Sequence, residues 1–287
     1  KYVIGVVAME MGSGFPLEAL KAQAVAARSY AAKYIEKRKN GEYHIVDGPT
    51  EQAYIGYSTN AKLNQAAEET KGQMLVFNNS IVEAFYSASH GGQTDAAGNA
   101  FGGGDSKDTA YPYFGIYDDP YDRKISENKG LIEKVFLPAQ LKGNPAKTDA
   151  TLWGDIMEAF KLARNTSEGS LSGARINSIT PTLKYPRTPN SRWYTSATLN
   201  VTVNGSTKDV SINLSKLLSR GVFKKSILRM TSFEQGTSSG VDGWYLTNQR
   251  FGHGVGLSQW GAYQMANEGK GYKEILGFYY RNCALGT

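Results

Sequence analysis

Glu10 is the residue whose surroundings point most directly to chemistry. Val7, Ala8, Met9 and Met11 around it are apolar, and a Gly12-Ser13-Gly14-Phe15-Pro16 break separates it from a long Ala-rich stretch. A carboxyl in such company loses hydration, which disfavours its charged form and lets it keep a proton near neutral pH, the state a general acid requires. The same surroundings suit an acid that only caps or pairs at a helix end, and the residues alone leave both readings open. Two glycine-rich stretches offer close backbone approach to a ligand: Ala84 to Thr94, where His90 precedes Gly91-Gly92, and Gly252 to Ala262, where Gly252, Gly254 and Gly256 alternate. Ser258 is placed to cap a helix running through Gln264 and Met265. His90 is either a cleft residue or an exposed loop side chain, and His253 either a cleft residue or a packed core histidine. The alternating glycines lack a following Lys-Ser/Thr, which argues against a phosphate loop.

The elements that must position these groups are partly legible. Helical patterning covers about 2–10, 16–39 and 61–70. In the second of these, Pro16 falls in the first turn, Glu18 suits the positive end of the dipole, and no Gly or Pro follows until Gly41. Leu20, Ala24, Ala27 and Ala31 form a stripe of mostly small residues, and Lys21, Val25, Arg28 and Ala32 form its neighbour. The two cations of that neighbour predict either a solvated basic face or an Arg28 partly buried and aimed at Glu10. Strand-like runs follow at Met74–Phe77 and Ile81–Ser87, split by an Asn78-Asn79 turn, and the chain reads as irregular from Gly98 to about Lys147. Beyond it the patterning predicts a helix at 150–164, strands near 176–185, 193–203 and 207–213 with an Asn204-Gly205 hairpin, a short helix at Leu214–Leu218 and a strand at Ile227–Phe233. The order argues an α+β fold. It predicts a helical and short-strand catalytic lobe from 1–104 and 226–287, and a second mixed lobe at 105–225 that forms a groove with it.

Composition sets outer bounds. The 287 residues suffice for one large or two modest domains, and the net charge of +6 is scattered, which favours weak attraction to a polyanion over a nucleic-acid module. The 18 Tyr and 4 Trp offer flat faces for sugar rings. Cys283 is the sole cysteine, which excludes an intrachain disulfide and a Cys-based zinc site, and His44, His90 and His253 have no metal-ligand spacing. No run approaches the roughly 20 apolar residues of a membrane span, and no signal peptide is visible.

The segment from Tyr2 to Tyr34 resembles the signature of the SpoIID/LytB family. Ala84 to Thr94 resembles that family's Ser-Gly-Gly-Lys-Thr loop, and Gly252 to Ala262 its Gly-His-Gly-Val-Gly-Met-Ser-Gln-Tyr-Gly-Ala motif. The middle match departs in one respect: Ser87 stands where the family often has His, and His90 replaces the Ser before the two glycines. The resemblance implies a peptidoglycan lytic transglycosylase that cuts between N-acetylmuramic acid and N-acetylglucosamine, leaves 1,6-anhydro ends, and works without metal or cofactor. It makes Glu10 the catalytic acid and base, with no second carboxylate from Glu18 or Asp95. It makes Lys21, Arg28, Ser87, Ser89, His90, Gly91, Gly92, His253, Ser258 and Gln259 substrate-facing, so Glu10, His90 and His253 are expected to converge on a glycan-binding groove. An Arg28 beside Glu10 would lower the carboxyl pKa against the effect of its apolar neighbours. The partners implied are peptidoglycan glycan strands, free of stem peptides in a sporulation setting, and other cell-wall hydrolases. The location implied is outside the cytoplasmic membrane, with an export signal or anchor in an N-terminal segment that the chain lacks. LytB-type relatives imply the alternative, a glycan binder that enhances an amidase without cutting.

Overall fold

A computed structural model of the chain describes residues 1–48, 50–129, 132–140, 159, 174–214, 230–248 and 252–287. The fold is α+β, and it divides into two compact units: Lys1–Asn128 with Gly252–Thr287, and Lys129–Phe251. The unit boundaries therefore fall later than the expected 104/105 and 225/226. Residues 105–128 join the first unit because the helix at Pro120–Asn128 packs on a helix of the C-terminal segment.

In the first unit, α1 (Tyr2–Glu10), α2 (Leu17–Lys37) and α3 (Ala61–Glu69) follow the sequence pattern closely. Pro16 stands just before α2 with φ −58° and ψ 148°, one position earlier than its expected first-turn place. Asn60 caps α3 by accepting from the N–H groups of Lys62 and Leu63. The small side chains of α2 bury Ala19, Ala22, Ala24, Ala26 and Ala27 completely, so α1 and α3 pack directly against its backbone. β1 (Met74–Phe77) turns through Asn78 and Asn79, both at positive φ, into the short β2 (Ser80–Ile81). The expected strand Ile81–Ser87 is broken: residues 82–85 are not strand, and only β3 (Tyr86–Ser87) resumes it. The break accompanies Glu83, 4% exposed, whose carboxylate takes the Lys37 ammonium and the Tyr111 hydroxyl.

The stretch expected to be irregular forms α4 (Ala97–Ala100), α5 (Gly104–Ala110) and α6 (Pro120–Asn128) in this unit, and β4 (Glu133–Pro138) in the next. In the second unit, β4, β5 (Arg175–Leu183), β6 (Tyr194–Val203), β7 (Ser206–Asn213), β8 (Met230–Ser238) and β9 (Val241–Asn248) make one antiparallel sheet ordered β4-β9-β8-β6-β5, with β7 also on β6. Its core holds Leu137, Ile176, Leu199, Val201, Val210, Ile212 and Leu246. The expected helices at 150–164 and Leu214–Leu218 lie almost wholly outside the described residues.

The chain then returns to the first unit through β10 (Leu257–Ser258), α7 (Gln259–Asn267), α8 (Tyr272–Tyr279) and β11 (Ala284–Gly286). β11 pairs antiparallel with β1, and β10 pairs parallel with β3, setting Leu257 opposite Tyr86 and Ser258 opposite Ser87. Val255, Leu257, Met265, Ile275, Leu276, Tyr279 and Tyr280 of this segment are all core. Among the described residues no helix is long and apolar enough to cross a membrane.

Candidate active site

Glu10 closes the last turn of α1, and both carboxyl oxygens are held by neutral donors. The Ala53 backbone N–H reaches Oε1 at 3.3 Å, and the Gln259 side-chain amide reaches Oε2 at 3.2 Å. Burial pushes the Glu10 pKa up, and the two donors oppose it because they favour the charged form. No Lys or Arg among the described residues pairs with it. Each donor is anchored. Ala53 follows buried Gln52, whose amide donates to the Ala27 carbonyl and the Tyr86 hydroxyl while its oxygen accepts from Tyr2. Gln259 is the first residue of α7, whose N-cap is Ser258. Phe15, in the loop after Glu10, packs against Trp260 and Tyr263 with ring centroids 4.9 and 5.3 Å away.

A buried cluster fixes Ser258 and thereby Gln259. Asp122 on α6 is fully buried, and Oδ2 accepts from the Ser89 hydroxyl at 3.1 Å and from the His90 and Gly92 N–H groups at 3.1 and 2.8 Å. Its Oδ1 accepts from the Ser258 hydroxyl at 2.8 Å. One carboxylate thus ties the loop after β3 to the start of α7. Asp119 beside it accepts from the Asp122 N–H and the Tyr279 hydroxyl, and His90 Nδ1 lies 3.9 Å away. Burial, reinforced by the Asp122 charge, pushes Asp119 up to about 8. Asp122, with four donors against the Asp122 N–H, Tyr121 N–H and Tyr279 hydroxyl on Asp119, is the member that carries the charge. The alternating glycines serve the same joint. A Cβ on Gly256 would collide with the Phe85 carbonyl oxygen, so the β3–β10 pairing needs glycine there.

These connections bring together residues from separate sequence segments. The family model for SpoIID, stage II sporulation protein, matches residues 1–77. The amidase enhancer of Bacillus subtilis is 30% identical over 98% of this chain, and stage II sporulation protein D of the same organism is 28% identical over 99%. An uncharacterized protein of Brachyspira hyodysenteriae is 32% identical over 99%. The chain resembles the SpoIID family over residues 1–77. It spans 40% of the length of the amidase enhancer, 65% of the Brachyspira protein and 73% of the sporulation protein.

Within this fold the expected site residues separate into groups. Gln259 touches Glu10 directly. Lys21 and Arg28 do not pair with Glu10. Lys21 pairs with Glu18 and Glu69, and the Arg28 guanidinium donates to the Gln73 and Ala67 carbonyls and to the Thr70 hydroxyl around the end of α3. Ser87, Ser89, His90, Gly91, Gly92 and Ser258, expected to face substrate, are all buried. Ser89, His90, Gly92 and Ser258 build the joint around Asp122. His90 packs edge-on against Tyr279 with ring centroids 5.6 Å apart. His253 is half-buried: Nδ1 accepts from the Val255 N–H at 3.0 Å, so Nε2 carries the proton and donates to the Tyr86 carbonyl at 2.8 Å. It braces the C-terminal motif against β3. Sequence reasoning missed the Ala53 N–H, Gln52, Asp119 and Asp122. Asp119-Pro120 carried a signal for the last two, a cap residue followed by a proline at the first helical position. Among the described residues no three His, Cys, Asp or Glu side chains are grouped as a metal requires.

Proposed function

We propose that this chain is a peptidoglycan lytic transglycosylase whose general acid and base is Glu10, acting outside the cytoplasmic membrane on glycan free of stem peptides. The SpoIID match over residues 1–77 and the relatives' names support a role at the cell wall. The observation that carries the finer reading is the setting of Glu10: burial raises its pKa, and neutral donors alone hold both its oxygens. Such a carboxyl is protonated often enough to give a proton to the glycosidic oxygen. Once it has done so, the Ala53 and Gln259 donors stabilise the carboxylate, which then takes the proton of the muramoyl C6 hydroxyl as that oxygen closes onto C1. The product is a 1,6-anhydro sugar, and no water enters. A two-carboxylate hydrolase needs a second acid free to act. The nearest acids in motif context are committed elsewhere: Glu18 accepts from the Tyr272 N–H and Lys21, and Asp95 accepts from the Ala96 N–H and the Asn99 amide.

The amidase enhancer's similarity favours a second reading, a glycan binder that acts on a partner hydrolase without cutting. Digestion of purified glycan strands, intact and stripped of stem peptides, followed by mass spectrometry of the products, separates the readings. Anhydro ends are the expected result. Reducing ends would mean a hydrolase, and undigested glycan would mean a binder.

A further inference from the structure

Several large apolar side chains are exposed on α1 and on the segment packed along it. Tyr54, Ile55 and Tyr57 are 37%, 65% and 54% exposed, and on α1 beneath them Tyr2 and Met9 are 37% and 52% exposed. Contiguous exposure of this kind marks a binding surface more often than chance placement does. The segment holding the first three is a strap laid along α1. Its Ala53 N–H is bonded to Glu10 at one end of the helix. Five residues back toward the other end, a Cβ on Gly5 would strike the Tyr54 ring and the Gly56 carbonyl, so the strap and helix touch backbone to ring. The Tyr54 and Tyr2 rings stack with centroids 5.5 Å apart and planes 22° from parallel.

The exposed rings are held from below. The Tyr2 hydroxyl donates to Gln52 at 2.9 Å, Gln52 is 1% exposed, and the Tyr54 N–H donates to the Asp47 carboxylate at 2.9 Å. A platform fixed in this way loses little side-chain freedom when a ligand covers it. From Gly5 to Glu10 the helix rises about 7.5 Å, so the tyrosine pair lies within a short stretch of any polymer whose scissile bond sits at Glu10. Asp47 accepts from the Tyr54 N–H and the Lys1 ammonium lies 5.9 Å from the Tyr57 ring centroid, while the stacked Tyr2 and Tyr54 rings offer flat faces that suit the apolar C–H faces of pyranose rings.

We propose that the Ala53–Tyr57 strap, with Tyr2 and Met9, is a sugar-stacking subsite that starts at Glu10 and runs toward the N-terminal end of α1. The proposal rests on glycan as the substrate of the Glu10 site. It is tested with the Glu10→Gln protein, which holds glycan without cutting it, and soluble glycan chains free of stem peptides, by isothermal titration calorimetry. Tyr57→Ala and Tyr54→Leu, each added to Glu10→Gln, are expected to weaken glycan binding about tenfold, while Tyr54→Trp keeps it within about twofold. Unchanged melting of each variant confirms that the fold is retained. Should the Glu10→Gln protein bind glycan and both strap variants bind it equally well, the subsite is wrong and the assignment of Glu10 survives. Should the Glu10→Gln protein bind no glycan, the substrate class is wrong and the subsite falls with it. Strap variants that bind glycan normally but lose a protein partner would also overturn the proposal.

Discussion

A carboxyl that gives up a proton and takes another back needs surroundings that oppose both extremes, and Glu10 has them. Burial favours its neutral form, and the Gln259 amide favours its charged form. Gln259→Ala removes the second influence, so the Glu10 pKa rises further. The alkaline limb of the pH–rate profile, where the acid form is lost, is expected to move to higher pH, with the maximal rate down about 10 to 100-fold. An alkaline limb that stays in place would show that Gln259 does not tune the acid. Arg28 supplies the contrast. It was legible in the sequence as a semi-buried cation on α2, but its target was not, because spacing fixes the face of a helix and tertiary packing decides what that face meets. With its guanidinium spent on Ala67, Thr70 and Gln73, Arg28→Met is expected to cost about 1–3 kcal/mol of stability and leave the pH–rate profile in place, checked by urea unfolding beside the rate measurements. The apolar neighbours of Glu10 were legible for the opposite reason: they flank it in the chain itself.

At the scale of elements, α1, α2 and α3 could be read because periodicity and caps are local signals. The joint between β3, α6 and α7 could not. His90 and Asp122 lie 32 residues apart, and Ser258 lies 136 residues beyond Asp122, so nothing local announces that their polar groups meet. The joint has a titration consequence. Asp119 stays protonated up to about pH 8 because it is buried beside Asp122, whereas in the unfolded chain it ionises near its ordinary value of about 4. The folded state is the better proton binder, so this contribution is fully present below about pH 4 and declines as pH rises toward 8. Asp122, His90, Tyr117 and Tyr279 are titratable groups around it. Asp119→Asn is expected to flatten the fall in melting temperature between pH 5 and 8, because asparagine cannot ionise. A fall as steep as the parent's would place the titration elsewhere.

The whole molecule is an α+β protein whose first unit is discontinuous, with a 36-residue C-terminal segment, 252–287, closing it. That segment carries Leu257, Ile275, Leu276, Tyr279 and Tyr280 into the core, along with the Gln259 donor to Glu10 and the Ser258 cap. A chain ended at residue 251 is therefore expected to lose the cooperative unfolding transition of its first unit, seen as missing near-ultraviolet circular dichroism and rapid proteolysis within residues 1–128. Retention of a protected 1–128 fragment would mean that the first unit folds without its closing segment. The two-lobed α+β plan was legible from element order, but the boundaries were not, since they depend on which helix α6 packs against. The account as a whole stands on one carboxyl. Its most direct test is the initial rate of release of soluble glycan ending in 1,6-anhydro sugar, measured for the parent and for folded Glu10→Gln on purified glycan strands. The expected result is release by the parent and a loss of at least about 10²–10⁴-fold in Glu10→Gln, whose carboxamide can neither give nor take the proton. Anhydro release by Glu10→Gln at the parent's rate would contradict it.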